Sequence, residues 1–148
     1  MKDFPHHYVV AASAAADSTV RLESPGLESL ESAAPAEFGG PGDLWSPETL
    51  LVAAVADCFI LSFRGIARAS RVEWIALQCD VVGDLEKVER MSQFTRFQLR
   101  VRLEVPEGTR EAKAHKLLEK AEQSCLITNS LKAPSHLATE VFVKAVAA

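Results

Sequence analysis

The chain has little cysteine, few aromatic side chains and no long apolar run. Its three cysteines, Cys58, Cys79 and Cys125 among 148 residues, are too few and too dispersed for a disulfide scaffold. Their odd number, behind an N-terminus without a secretion signal, points away from structural disulfides. There is no CxxC pair and no HxxxH pair, and His6, His7, His115 and His136 fall in different segments, which argues against a zinc site. The longest apolar stretch, Leu50 to Ile60, is broken by Asp57 and falls short of the roughly 20 residues that a bilayer span needs. The opening MKDFPHHYVV has neither the apolar core nor the cleavage site of a signal peptide. The expectation is a cytoplasmic protein with no membrane partner. With 16 basic against 20 acidic residues and a net charge of −4, and with no basic block interleaved with aromatics, nucleic acid is a poor candidate ligand.

What is present is ordinary globular composition, 48% hydrophobic and 24% charged, in a length that suits one domain, 1–148, with a real core. Residues 7–13 are apolar, AADS reads as a turn, and STVRLE (18–23) alternates, so a hairpin is expected. Residues 24–46 carry Pro25, Gly26, Pro35, Gly39, Gly40, Pro41 and Gly42, a long loop with at most a short strand near Ala36–Phe38. Ser46 then suits an N-cap, Pro47 the first helical position and Glu48 the first turn. The helix should run to about Ala69. It is apolar on nearly every face from Leu50 to Ile60, as a buried central helix is, and gains Arg64, Arg68 and Arg71 towards its end.

Two strands follow, 72–85 and 94–105. The second sets Phe97, Leu99, Val101, Leu103 and Val105 against Arg96, Gln98, Arg100, Arg102 and Glu104, one face for a core and one for water. A second helix over 109–124 carries Ala114, Leu117, Leu118, Ala121 and Cys125 in one stripe. A helical turn at 126–131 and a last strand over 136–146 complete an α+β order of three possible strands, helix, two strands, helix, strand.

Several residues could carry chemistry. Cys58, in VADCF, alone reads as a packing residue, because free cysteine behaves as a small hydrophobe; Cys79, mid-strand in IALQCDVV, reads so even more strongly. Cys125 ends an apolar stripe before the polar LITNS, an edge where a thiol has some access. A second thiol within reach lets an oxidised cysteine condense to a disulfide instead of moving on to irreversible acids. Glu48 either complements the helix dipole or orients a cation beside a thiolate. Ten residues of helix separate Glu48 from Cys58, roughly 15 Å, so if both serve one site Glu48 arrives from a partner subunit. Asp57 either pairs with an arginine or faces a groove. His115 reads as a solvated helix residue, and His6 and His7 as a fraying end.

LWSPETLLVAAVADCF with the later AEQSCLITNSL resembles the OsmC/Ohr family of osmotically induced and organic-hydroperoxide-resistance proteins. That pattern has Pro-Glu at the start of a long central helix, a cysteine about ten residues on, and a second cysteine after a later helix. The resemblance covers nearly the whole chain. It implies an intertwined homodimer in which two antiparallel sheets wrap long central helices, with active sites at the subunit interface. It also implies that Cys58 is the peroxidatic thiol, that Cys125 resolves its sulfenate, that Glu48 serves the site, and that a lipoyl-type dithiol restores both thiols. No metal or organic cofactor is needed.

One departure stands out. The family's peroxidases carry an arginine in the loop of the first hairpin, where this chain reads AAADST; Arg21, Arg64 and Arg96 are the candidates to replace it. The alternative reading is therefore a catalytically weak or inactive member that binds a small apolar ligand at the dimer interface, lined around Phe59 and Phe63. A general disulfide oxidoreductase is disfavoured for want of a CxxC.

Overall fold

The computed structural model describes residues 1–145, in two compact units, Met1–Leu50 and Leu51–Ala148. In the first, β1 (Ala11–Ser13), β2 (Val20–Glu23) and β3 (Leu30–Ser32) form an antiparallel sheet in that order. The expected hairpin is there, but only the end of its apolar first segment pairs, and β3 lies inside the segment expected to be loop. Ala36–Phe38 is a single 3₁₀ turn, not a strand, because Pro35 precedes it and Gly39 closes it at φ 84°.

Helix α1 (Pro47–Ala69) begins where its start signals predict. The Ser46 hydroxyl accepts from the Thr49 amide at 3.1 Å, and the Ser46 amide donates to the Thr49 hydroxyl at 2.8 Å, a reciprocal cap that satisfies two otherwise orphaned donors. At the other end the Val72 amide donates to Ala67 O and the Arg71 amide to Arg68 O, with Arg71 at φ 53°. This is the Schellman ending, with arginine where glycine is usual.

In the second unit β4 (Ala76–Val88) and β5 (Met91–Pro106) form a long antiparallel hairpin. Its two turn residues, Glu89 and Arg90, both have positive φ, 49° and 72°, as a type I′ turn requires. Then come α2 (Glu111–Ser124), the four-residue α3 (Leu126–Asn129) and β6 (Ser135–Lys144). β6 pairs with β5 in parallel, so this sheet, ordered β4-β5-β6, is mixed where an antiparallel one was expected. The helical crossover between β5 and β6 returns the chain in the same direction, which a short turn cannot do. The expected extension of the last strand to Val146 lies outside the described residues.

The core is where three apolar faces meet. α1 contributes Val55, Phe59, Phe63 and Ala67; β5 contributes Phe97, Leu99, Val101, Leu103 and Val105; α2 contributes Ala114, Leu117, Leu118 and Ala121. Phe63 meets Trp74 edge-on at 5.6 Å, and Phe94 stacks on Phe97 at 5.2 Å. The other face of the sheet is polar: Arg96 pairs with Asp84, and Arg102 pairs with Glu140 at 3.6 Å while lying over Phe142. By length and composition α1 could cross a bilayer; its buried stripe against β5 is that of a core helix.

The close approach of α1 to the hairpin depends on Gly83. A Cβ there would meet Phe94 and Val52 at 2.9 Å. Gly83→Ala should destabilise the protein by about 1–3 kcal/mol through overpacking, read as a lower midpoint in urea unfolding with an unchanged slope.

Candidate functional site

The packing of α1 determines where its polar residues point. Each helical residue turns about 100°. With Phe59 facing the core, Cys58 falls at the edge of the buried stripe and Asp57 well outside it; Cys58 is half-buried and Asp57 exposed. One turn beyond Cys58, Ser62 brings its hydroxyl to 3.9 Å from the thiol. The same arc of α1 carries Ala54 and Leu61. With Leu126 and Ile127 of α3 these residues line a cavity of about 390 Å³ that contains Cys58 and Asp57.

Cys125 sits between α2 and α3 with an extended backbone (φ −65°, ψ 107°) that ends one helix and starts the next. It is 1% exposed. Burial pushes its pKa up most, the Thr128 amide and hydroxyl beside the sulfur oppose that, and the Cys58 thiol pushes it up further. Cys58 lines the cavity, and Cys125 immediately precedes Leu126 and Ile127, which line it from α3.

Cys79 lies on the inner side of β4, opposite Val101, and packs against the core. Its pKa is pushed up to about 12, first by burial, then by the Asp80 carboxylate and by Cys125. It is a protonated thiol at neutral pH, in keeping with its reading as a packing residue. Among the described residues no group of three or more His, Cys, Asp or Glu side chains has the geometry to hold a metal ion.

Glu48 is in the first turn of α1, in the first unit; its Oε2 is buried and has no hydrogen-bond partner. Arg21 is engaged by Glu23 at 3.1 Å and Glu31 at 3.9 Å, and Arg96 by Asp84. Arg64 is exposed on α1. No arginine lines the Cys58 cavity.

Two expectations need correction. Phe59 and Phe63 are fully buried against β5 and cannot line a groove; the apolar walls come from Ala54, Leu61, Leu126 and Ile127. His115 is not simply solvated: it is half-buried, with Nδ1 2.7 Å from the Thr139 hydroxyl, tying α2 to β6. Ser62 and Leu61 were not anticipated as site residues, although their spacings of four from Cys58 and Asp57 carry the signal.

The model of the OsmC-like protein family matches residues 40–140, a stretch that includes the capped start of α1, all three cysteines and most of β6. The chain belongs to the OsmC-like family. It is 28% identical over 113 residues to the uncharacterized protein YmaD of Bacillus subtilis, covering 74% of this chain and 75% of that one. Among solved structures it is similar to an OsmC-like protein of unknown function from Vibrio cholerae (TM-score 0.83, 19% identity, covering 93% and 100% of the two chains). It is also similar to an organic hydroperoxide resistance protein from Elizabethkingia anophelis (TM-score 0.74, 19% identity, covering 95% and 100%). A third similar structure is the Legionella pneumophila organic hydroperoxide resistance protein OsmC (TM-score 0.66, 25% identity, covering 93% and 98%). These likenesses establish an OsmC-like fold of α+β type, with two sheets and a long helix.

In this OsmC-like chain the Cys79 shift has a consequence for stability. Above pH 9.0, the ordinary thiol value, the unfolded state loses a proton that the folded state keeps up to about pH 12. The native state is therefore disfavoured progressively across that window. Cys79→Ala should flatten the fall in unfolding free energy between pH 9 and the alkaline limit of folding, as measured by urea titrations at stepped pH; an unchanged slope would remove Cys79 as the source.

Proposed function

We propose that this protein is a thiol-dependent peroxidase that reduces organic hydroperoxides, and hydrogen peroxide with them, through Cys58 and Cys125. The observation that supports the reading is the position of Cys58 in a cavity walled mainly by Ala54, Leu61, Leu126 and Ile127, the last two directly following Cys125; it is apolar enough for an organic group and open enough for a peroxide to enter.

In the first step the Cys58 thiolate attacks the distal oxygen of the hydroperoxide. The O–O bond breaks, its electron pair leaves on the proximal oxygen, and protonation releases an alcohol, or water from hydrogen peroxide. Cys58 is left as a sulfenic acid. The Cys125 sulfur then attacks the sulfenic sulfur, a disulfide forms, and hydroxide leaves as water. A dithiol of lipoyl type reduces the disulfide by two exchanges and is itself oxidised to a cyclic disulfide. The raised pKa of Cys125 supports this division of labour: a protonated neighbour does not repel the Cys58 thiolate, and burial shields Cys125 from oxidants in solvent.

The working unit is a homodimer in the cytoplasm, with the partner subunit's Glu48 completing the site. Two features support this. Only Val55, Phe59, Phe63 and Ala67 of α1 are buried, leaving apolar residues such as Leu61, 53% exposed, without cover. The Glu48 carboxylate has a buried oxygen that lacks a donor, and a buried acceptor left unpaired is costly. A second reading, a catalytically weak member that binds a small apolar ligand, is favoured by one observation, the absence of arginine from the cavity lining.

The test is consumption of cumene hydroperoxide with dihydrolipoamide in excess. The wild type should turn over, and Cys58→Ser should fall to the background rate. Cys125→Ser should consume about two equivalents per subunit and then stall, as Cys58 passes through the sulfenic to the sulfinic acid. A wild-type rate no higher than that of Cys58→Ser excludes the peroxidase and leaves the ligand-binding reading.

A further inference from the structure

From Leu50 to Phe63, α1 is apolar except at Asp57, Cys58 and Ser62. A serine in a helix commonly turns its hydroxyl back to the carbonyl four residues earlier. Two serines of this chain do so: at the end of α2 the Ser124 hydroxyl donates to Lys120 O, and at the end of α3 the Ser130 hydroxyl donates to Leu126 O, each at 2.7 Å. Ser62 does not. Its hydroxyl lies 3.9 Å from the Cys58 sulfur, within hydrogen-bond reach of an atom as large as sulfur. Among the described residues it is the one O–H or N–H group at that distance from the Cys58 sulfur.

We propose that Ser62 is a catalytic residue that favours the Cys58 thiolate by donating a hydrogen bond to its sulfur. A thiolate has no proton to give, so in that state the hydroxyl donates and the sulfur accepts. Such a bond is stronger to an ionised acceptor than to a neutral one, and a donor aimed at the charged form favours that form. The cavity lining has no arginine or lysine to do this by charge. Both groups belong to one helix, four residues apart, so the contact does not depend on what covers this arc of α1. The proposal rests on the peroxidase reading for what the thiolate attacks; the hold on the thiolate does not. Asp57, the other ionisable side chain in the cavity lining, and Cys125 stay in place when position 62 is changed, so the comparison isolates the hydroxyl.

The first arm of the test needs no peroxide. The Cys58 thiolate displaces iodide from iodoacetamide, and the rate at Cys58, followed by peptide mass in the full-length protein, climbs with pH to a plateau as the thiolate fraction grows. Ser62→Ala, which places a good helix former there, should move this profile to higher pH. At neutral pH its rate should fall about threefold to tenfold, with the plateau no lower. Ser62→Thr keeps a hydroxyl and should keep the wild-type profile. A change in packing or access acts differently: it lowers the plateau and leaves the profile where it was. A profile that Ser62→Ala does not move, or that Ser62→Thr moves equally, overturns the proposal. Ultraviolet thiolate absorbance, taken as the difference between each protein and the same protein carrying Cys58→Ser, follows the same shift without a reagent and decides in the same way.

The second arm is kcat/KM for cumene hydroperoxide with dihydrolipoamide in excess. Ser62→Ala should lose about threefold to tenfold at neutral pH and regain the loss as the pH rises, while Ser62→Thr should match the wild type. Wild-type turnover that Ser62→Ala does not slow overturns the catalytic role. Absence of wild-type turnover overturns the peroxidase reading and the catalytic role with it, while the alkylation profile still decides whether Ser62 holds the thiolate.

Discussion

The contact between the Val55–Phe59–Phe63–Ala67 face of α1 and the Phe97–Val105 face of β5 governs the second unit. It is made of large side chains removed from water, each contributing about 1.5–3 kcal/mol, and it fixes the rotation of a helix that is apolar almost all round. Once Phe59 faces the sheet, the step of about 100° per residue leaves no choice about Cys58, Ser62 or Asp57. The thiol stands at the margin of the core and the carboxylate in water. A helix with a single apolar stripe would settle its rotation by that stripe alone. Here the bulk of Phe59 and Phe63 and the small residue Gly83, which lets Val52 and Phe94 close in, decide among several apolar faces.

The second thiol is positioned by topology, directly before the residues of α3 that line the Cys58 cavity. Parallel pairing of β5 with β6 requires a crossover, and the crossover is α2 followed by α3. α2 buries Ala114, Leu117, Leu118 and Ala121, and the break in helical geometry at Cys125 turns the chain so that Leu126 and Ile127 reach over Cys58. Burial then separates the thiols by environment. Cys58 is half-buried and lines the cavity, Cys125 is buried, and Cys79 is held protonated by burial on the inner side of β4. Three cysteines that are scattered in sequence thus become graded from accessible to inert.

Much of this was legible in the residues. The Ser46-Pro47-Glu48 start, the alternation in 94–105 and the stripe ending at Cys125 each rest on local rules, and each appears in the structure within a few residues. The parallel register of β6 was not legible, because strand pairing is a long-range choice that period-2 alternation does not encode. The strand β3 was hidden in a segment rich in proline and glycine; three residues of pairing leave no pattern to read. The assignment of Phe59 and Phe63 to a groove failed for a related reason: a helix apolar on every face does not announce which face meets the sheet. The same ambiguity left Asp57 between two readings, pairing with an arginine or facing a groove, and the observed rotation of α1 selects the second.

The central claim is that Cys58 and Cys125 work as a pair, with Cys79 outside their chemistry. The most direct measurement is disulfide mapping by peptide mass spectrometry after the reduced protein receives one equivalent of cumene hydroperoxide per subunit without reductant. The account predicts a Cys58–Cys125 disulfide within each subunit as the main product, lost on addition of dithiol, with Cys79 recovered as the free thiol. Oxidation of Cys58 to sulfinic acid with Cys125 still reduced, or a disulfide that includes Cys79 as the main product, would contradict it.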